Sequence, residues 1–180
     1  MLSGKTNEMK KGKRIMKKIL SAVLVAMMLL SLAASAFAAT GLGSYTEVTI
    51  TPATAEKAGV VTAYTHLCAL TLDEEGKIVG IVFDAVQAKG GFDATGAVSG
   101  EAAFEALPKG ELKEAYGMKK ASPIGKEYYE QMEALAAWCI GKTVEEVMTL
   151  SAEDADLKAG CTVGIEGHLA ALEKAAATAK

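Results

Sequence analysis

Two runs rich in β-branched residues, Val60–Leu72 (VVTAYTHLCALTL) and Ile78–Val86 (IVGIVFDAV), flank the turn-like Asp73-Glu74-Glu75-Gly76-Lys77. Val, Ile and Thr recurring at period two suit a pleated, half-buried surface, and the glycine suits a left-handed turn position. The segment therefore predicts an antiparallel hairpin. Gly41–Pro52 predicts a further strand, with Tyr45, Glu47, Thr49 and Thr51 alternating against Val48 and Ile50. After the hairpin the pattern changes. Gly90 to Gly100 reads as a glycine-rich loop, and Glu101–Leu107 as a short helical segment stopped by Pro108 and Gly110. Ser122-Pro123 has the layout of a helix start, with Ser as N-cap and Pro at the first helical position. From there Ile124, Tyr128, Met132, Leu135 and Cys139 form one apolar stripe, and Gly141 closes the helix. Thr143 and Glu146 predict a capping box for a short helix carrying Val144, Val147 and Met148. A last helix from about Gly164 to Ala177 buries Ile165, Leu169, Leu172 and Ala176. Strands first and helices afterwards predict α+β: a small antiparallel sheet packed against C-terminal helices in a single domain.

That domain occupies residues 39–180, because the segment before it reads as a targeting signal. Lys10, Lys11, Lys13, Arg14, Lys17 and Lys18 precede an apolar run of 14 residues, Ile19–Leu32. Ala34-Ser35-Ala36 and Ala36-Phe37-Ala38 then offer A-x-A cleavage sites. A basic stretch, a short apolar stretch and small residues make a secretory signal over residues 1–38, cleaved after Ala38 or after Ala36. The run is short of the roughly 20 residues that a spanning helix needs, so an uncleaved anchor is the lesser reading. Translation starting at Met9 or Met16 preserves the signal, and no cysteine at the cleavage site points to a lipid anchor. The expected location is outside the membrane of a bacterial cell.

Charge narrows the function further. Of 19 basic and 22 acidic side chains, seven basic and one acidic precede position 39, which leaves the domain with 12 lysines against 21 acids. Its net charge of −9 and its lack of arginine exclude nucleic acid as a partner. Cys68, Cys139 and Cys161 are an odd number without a C-x-x-C, so neither a disulfide framework nor a metal site is expected. Cys68 lies in a strand-like segment and Cys139 on an apolar helix face, and both read as buried free thiols. His66 lies in a strand with no Ser or Asp placed by spacing to join it, so no catalytic residues are expected. Neither a nucleophile elbow, H-E-x-x-H nor a Walker loop is present.

Asp156-Leu157-Lys158-Ala159-Gly160-Cys161-Thr162 stands just before the last helix. Small residues leading into a helix N-terminus leave amides free for an anion such as phosphate. The alternative is that Thr162 caps the helix. The segment resembles the motif D-x-x-[ST]-G-A-T of the bacterial exported FMN-binding domain family. Asp156, Gly160 and Thr162 fall on matching positions, Ala159 replaces the hydroxyl residue and Cys161 the alanine. The hairpin with its acidic-Gly-Lys-Ile turn is similar to the family's strand–D-G-K-I–strand unit. Ser122-Pro123-Ile124-Gly125 resembles its T-P-G-[IL]-G loop, one residue short. The resemblance implies FMN as cofactor, covalent through Thr162 where a flavin transferase esterifies it, and electron transfer with a membrane redox partner. It also implies roles: Thr162 for the phosphate with the Gly160 and Cys161 amides beside it, Asp156 to orient the loop, Ser122 and Gly125 near the ring, and Lys126 for charge. Lys119, Lys120 and Lys126 form a local basic patch, either for a phosphate or simply solvated, and Tyr129 is the freer aromatic beside them. Cys161 is expected to be reactive if a helix N-terminus lowers its pKa. The departures from the motif support an alternative from another class: a secreted interaction module that keeps the fold without flavin and binds a protein or cell-wall component.

Overall fold

Four strands run as an antiparallel meander, β1 (Ala39–Thr51), β2 (Gly59–Leu72), β3 (Ile78–Phe92) and β4 (Val98–Ser99), in the order β1-β2-β3-β4. This is a computed structural model, and it describes residues 38–100, 105–151 and 154–180. The signal-like segment and positions 101–104 lie outside the described residues. The period-two pattern sets the register. Gly41, Gly43 and Tyr45 of β1 stand opposite Leu70, Cys68 and His66 of β2, which stand opposite Ile81, Phe83 and Ala85 of β3. These positions make one face, and from Cys68 and Leu70 to Ile81 and Phe83 it is buried. At the β2–β3 turn Asp73 Oδ1 accepts the amides of Glu75 and Lys77 at 3.0 and 2.8 Å, and Gly76 takes φ +75°.

The expected loop over Gly90–Gly100 is corrected. β3 continues through Gly90 and Gly91 because β2 is long enough to pair with them, Val60 against Gly91 and Gly59 against Phe92. A second turn then repeats the first: Asp93 Oδ1 accepts the amides of Thr95 and Ala97 at 2.8 and 3.0 Å, with Gly96 at φ +85°. Among the described residues of this stretch, helical structure begins after Pro108. The short helix α1 (Lys109–Leu112) leads into a 3₁₀ turn at Lys113–Tyr116, while 105–107 carries no regular structure.

Helix α2 (Tyr128–Cys139) packs on β3, and α5 (Glu166–Thr178) packs on β1 and β2. Between them run α3 (Val144–Met148) and α4 (Ala155–Lys158). The start of α2 differs from the Ser122-Pro123 expectation. Ser122–Gly125 is a turn, closed by the Gly125 amide on Ser122 O at 3.0 Å with Gly125 at φ +63°. The helix begins after Glu127, whose amide donates to Glu130 Oε2 at 2.8 Å. Left-handed Gly125 cannot lie inside a right-handed helix, so the proline serves the turn. The expected stripe holds from Tyr128 to Cys139, with Leu135 and Cys139 fully enclosed. The Thr143–Glu146 capping box forms at 3.2 and 2.8 Å. In α5 the fully buried alanines are Ala171 and Ala175, and Ala176 packs half-buried beside Ala175. Together these elements make the α+β domain, an antiparallel sheet with helices over one face.

Candidate functional site

The residues singled out in the sequence fall into two segments, and one side chain joins them. Gln131 of α2 is fully buried. Its Oε1 accepts both the amide and the hydroxyl of Thr162, at 2.8 and 3.2 Å. Its Nε2 donates to Ser122 Oγ at 3.0 Å and to the Lys126 carbonyl at 3.2 Å. The Lys126 amide closes the turn on Ser122 Oγ at 3.4 Å. Thr162, Ser122 and Lys126 therefore share one neighbourhood, with Gly125 at the exposed tip of the turn. The sequence carried one signal for Gln131: it is a polar residue between Tyr128 and Leu135, within the apolar stripe of α2.

The surroundings of Thr162 require four corrections. The amides of Gly160 and Cys161 both donate to Leu157 O, at 2.9 and 2.7 Å, so they complete the end of α4 and do not face a ligand. Thr162 does not cap α5 either, because Ile165 holds the N-cap position and the Thr162 side chain turns to Gln131. The loop is ordered by Asp154 rather than by Asp156: Asp154 Oδ1 accepts the Asp156 and Leu157 amides at 2.9 and 3.1 Å, while Asp156 itself is exposed on α4. Cys161 is 2% exposed, and burial raises its thiol pKa against smaller opposing effects of the Val163 backbone and the Lys126 charge. Burial and the raised pKa run against the expected reactivity. Cys68 and Cys139 are buried and free as expected, pushed up by burial to about 12 and about 11. Beside the site, Glu127 is buried and accepts the Met118 and Lys119 amides at 2.8 and 3.1 Å, which shapes the basic segment. Tyr129 is not free, since its Oη donates to Glu114 Oε1 at 3.0 Å.

A second cluster, which local spacing did not reveal, lies between sheet and helices. His66 of β2 and His168 of α5 meet with Nδ1 and Nε2 3.4 Å apart. Tyr128 Oη lies 3.1 Å from the same His168 Nε2. His168 Nδ1 is buried without a hydrogen-bond partner. Burial lowers both imidazole pKa values, His168 to about 3, with His66 and Lys109 adding to the shift at His168. Both rings are therefore neutral at pH 7. Next to them Lys109 is 5% exposed. Its Nζ donates to Tyr64 Oη at 2.7 Å and lies 4.3, 4.6 and 4.9 Å from the ring centroids of Tyr64, Tyr116 and Tyr128. Three aromatic faces and one phenol oxygen solvate this ammonium in place of a carboxylate. Replacing Tyr64→Phe removes the one direct acceptor and leaves a buried charge short of a partner. The expected cost is about 2 kcal/mol of unfolding free energy, read by urea denaturation. A loss below about 0.5 kcal/mol contradicts the role given to Tyr64.

Among the described residues no group of three or more His, Cys, Asp or Glu is arranged to hold a metal ion, and no helix is long and apolar enough to cross a membrane. Comparison of the chain with protein-family models, with curated proteins and with solved structures gives no match.

Proposed function

We propose that the chain is an exported FMN-binding module, with Thr162 and Lys126 taking the phosphate end of the flavin and the Ser122–Gly125 turn flanking it. The observation that carries this reading is the Gln131 link. Two segments that the motif resemblance assigns to one ligand are distant in the sequence, yet one buried amide side chain ties them together. The fit is specific about which groups serve. Thr162 is exposed as a residue, its hydroxyl donates to Gln131 Oε1 at 3.2 Å, and the Lys126 charge is close enough to act on Cys161. These two suit a phosphate held at the surface, in contrast to one sunk among loop amides, because the Gly160 and Cys161 amides are spent on Leu157. Bound FMN would supply the electron-exchanging ring system, and the protein position and charge. Exchange with a membrane redox partner is the role this reading assigns. If a flavin transferase moves the FMN phosphoryl group from a flavin dinucleotide to Thr162 Oγ1, the donor's P–O bond to its nucleotide half breaks as the ester forms, and the nucleotide leaves. The Oγ1 proton and its hydrogen bond to Gln131 are then lost. The hydrogen bond from the Thr162 amide to Gln131 Oε1, at 2.8 Å, still holds the loop.

Thr162→Ala is expected to abolish flavin retention, whether covalent or reversible, and Lys126→Gln to weaken reversible FMN binding about tenfold. Equilibrium dialysis against FMN and intact mass after exposure to a flavin transferase read the two effects. Undiminished binding by Thr162→Ala contradicts the site. The inward amides favour a second reading, a secreted module that binds a protein or cell-wall component without flavin. A cooperatively folded protein that takes up no flavin under either condition would support it.

A further inference from the structure

The free edge of β1 is closed along one half and open along the other. Thr40 exchanges both backbone bonds with Lys180 at 3.2 Å. Leu42 gives its amide to, and takes a bond from, Thr178 Oγ1 at 3.1 and 2.8 Å, and Ser44 O accepts Lys174 Nζ at 2.9 Å. Even-numbered residues of β1 therefore turn their N–H and C=O groups away from β2. The β1–β2 register runs without a bulge to Thr51, so the same alternation applies to Thr46, Val48 and Ile50. Beyond Ser44 the cover stops. Thr46 through Thr51 are all exposed, and among the described residues no backbone partner meets the outward groups of Thr46, Val48 and Ile50. Val48 and Ile50 are 61% and 64% exposed. Edge strands are ordinarily protected by charged side chains, proline or a bulge. Thr46–Ile50 has no proline or bulge, and its one charged side chain, Glu47, accepts the Tyr45 hydroxyl at 3.2 Å.

We infer that this open edge is a self-association surface, on which β1 of a second copy of the chain pairs antiparallel about a two-fold axis at Val48. The strand's own sequence argues for that occupant. With Val48 opposite its own copy, Thr46 meets Ile50, and all three residues present the groups that antiparallel pairing requires. Glu47 comes opposite Thr49, so no like charges meet. The pairing also stops where the chain has already prepared an end. The next outward residue, Ser44, would face Pro52, which has no N–H to donate, and Lys174 already supplies the donor to Ser44 O. Two-fold pairing of identical strands is the ordinary closed form of such an interface. The inference is independent of the flavin reading, because neither Thr162 nor the Ser122–Gly125 turn lies on β1.

Sedimentation equilibrium of the purified protein over a concentration series tests it. A monomer–dimer equilibrium is expected, with Val48→Pro weakening the dimer at least about tenfold, because it removes the central donor pair. Proline at Val48 takes no bond from the β1–β2 ladder, so the circular dichroism and melting temperature should stay near those of wild type. Val48→Cys should form a disulfide-linked dimer with copper-phenanthroline, since the three native cysteines are buried. Leu42→Cys, on the closed half of the edge, should not. A protein that stays monomeric at all concentrations overturns the inference. So does a dimer unaffected by Val48→Pro but lost in Val82→Lys, which places the contact on the sheet face. Pairing of the edge only with an added extended peptide, the chain alone remaining monomeric, also overturns the choice of occupant.

Discussion

Lowering the pH from 7 to 4 is expected to remove about 3 kcal/mol of unfolding free energy through His168 alone. The ring is neutral in the fold, where burial, His66 and Lys109 hold its pKa near 3, whereas in the unfolded chain it titrates near the ordinary 6.5. The unfolded state therefore binds the proton first. The stabilisation is complete above about pH 6.5 and is lost progressively as the pH falls towards 3, with a ceiling of about 5 kcal/mol. The groups around the ring do not offset this. His66 and Lys109 oppose a second positive charge, Phe83 contributes an apolar edge, and Tyr128 a neutral hydroxyl whose own pKa burial raises. Among acidic groups, Glu47 acts on His66 against a larger burial effect, and Asp84 acts on Tyr128. Carboxyls such as Asp93, held low by Thr95, add their own acid loss, so the comparison is with a variant. Urea unfolding of wild type and His168→Leu at several pH values should show a much flatter profile for the variant between pH 6.5 and 4. Parallel profiles contradict the account of the buried pair.

Gly43→Ala is expected to cost at least about 3 kcal/mol, and Gly41→Ala about the same. Helix α5 crosses β1 so closely that a Cβ on Gly43 would lie 2.0 Å from Ala171 O, and one on Gly41 1.9 Å from Ala175 O. Both obstacles are backbone, so no rotamer change relieves them. The helix must lift from the sheet, and with it go Leu172 and Ala175, which are fully buried. Gly90→Ala is the control, because nothing lies within 4 Å of its added Cβ. It should change stability by less than about 1 kcal/mol. Gly43→Ala proving no costlier than Gly90→Ala would show that α5 does not approach β1 as described.

These two results concern features that were unequally legible in the sequence. The strands and the apolar stripe of α2 were readable because period two and period 3.6 are consequences of local geometry. Gly90-Gly91 misled because glycine is depleted from strands, although the Asp93–Gly96 spacing repeats Asp73–Gly76 and marks where β3 ends. Ser122-Pro123 suits a helix start and a turn alike, and the turn is decided three residues later by Gly125. The motif before α5 drew attention to Thr162 but carried nothing of the direction of its neighbours' amides, which the end of α4 determines. His66 and His168 lie 102 residues apart and meet only because α5 folds back over β2. No local spacing could announce that pair. Gln131 is intermediate: its place in an apolar stripe was visible, its partners were not.

The central claim is that Thr162, Lys126 and the Ser122–Gly125 turn form one flavin-phosphate site. Absorbance and intact mass of the protein produced with an exported flavin transferase, a flavin dinucleotide as phosphoryl donor and FMN test it most directly, with Thr162→Ala treated alike. The account predicts a flavin spectrum in wild type, carried either as a mass increment on Thr162 or as a ligand released by denaturation, and none in the variant. A folded wild-type protein without flavin, or a variant that retains as much flavin as wild type, would contradict it.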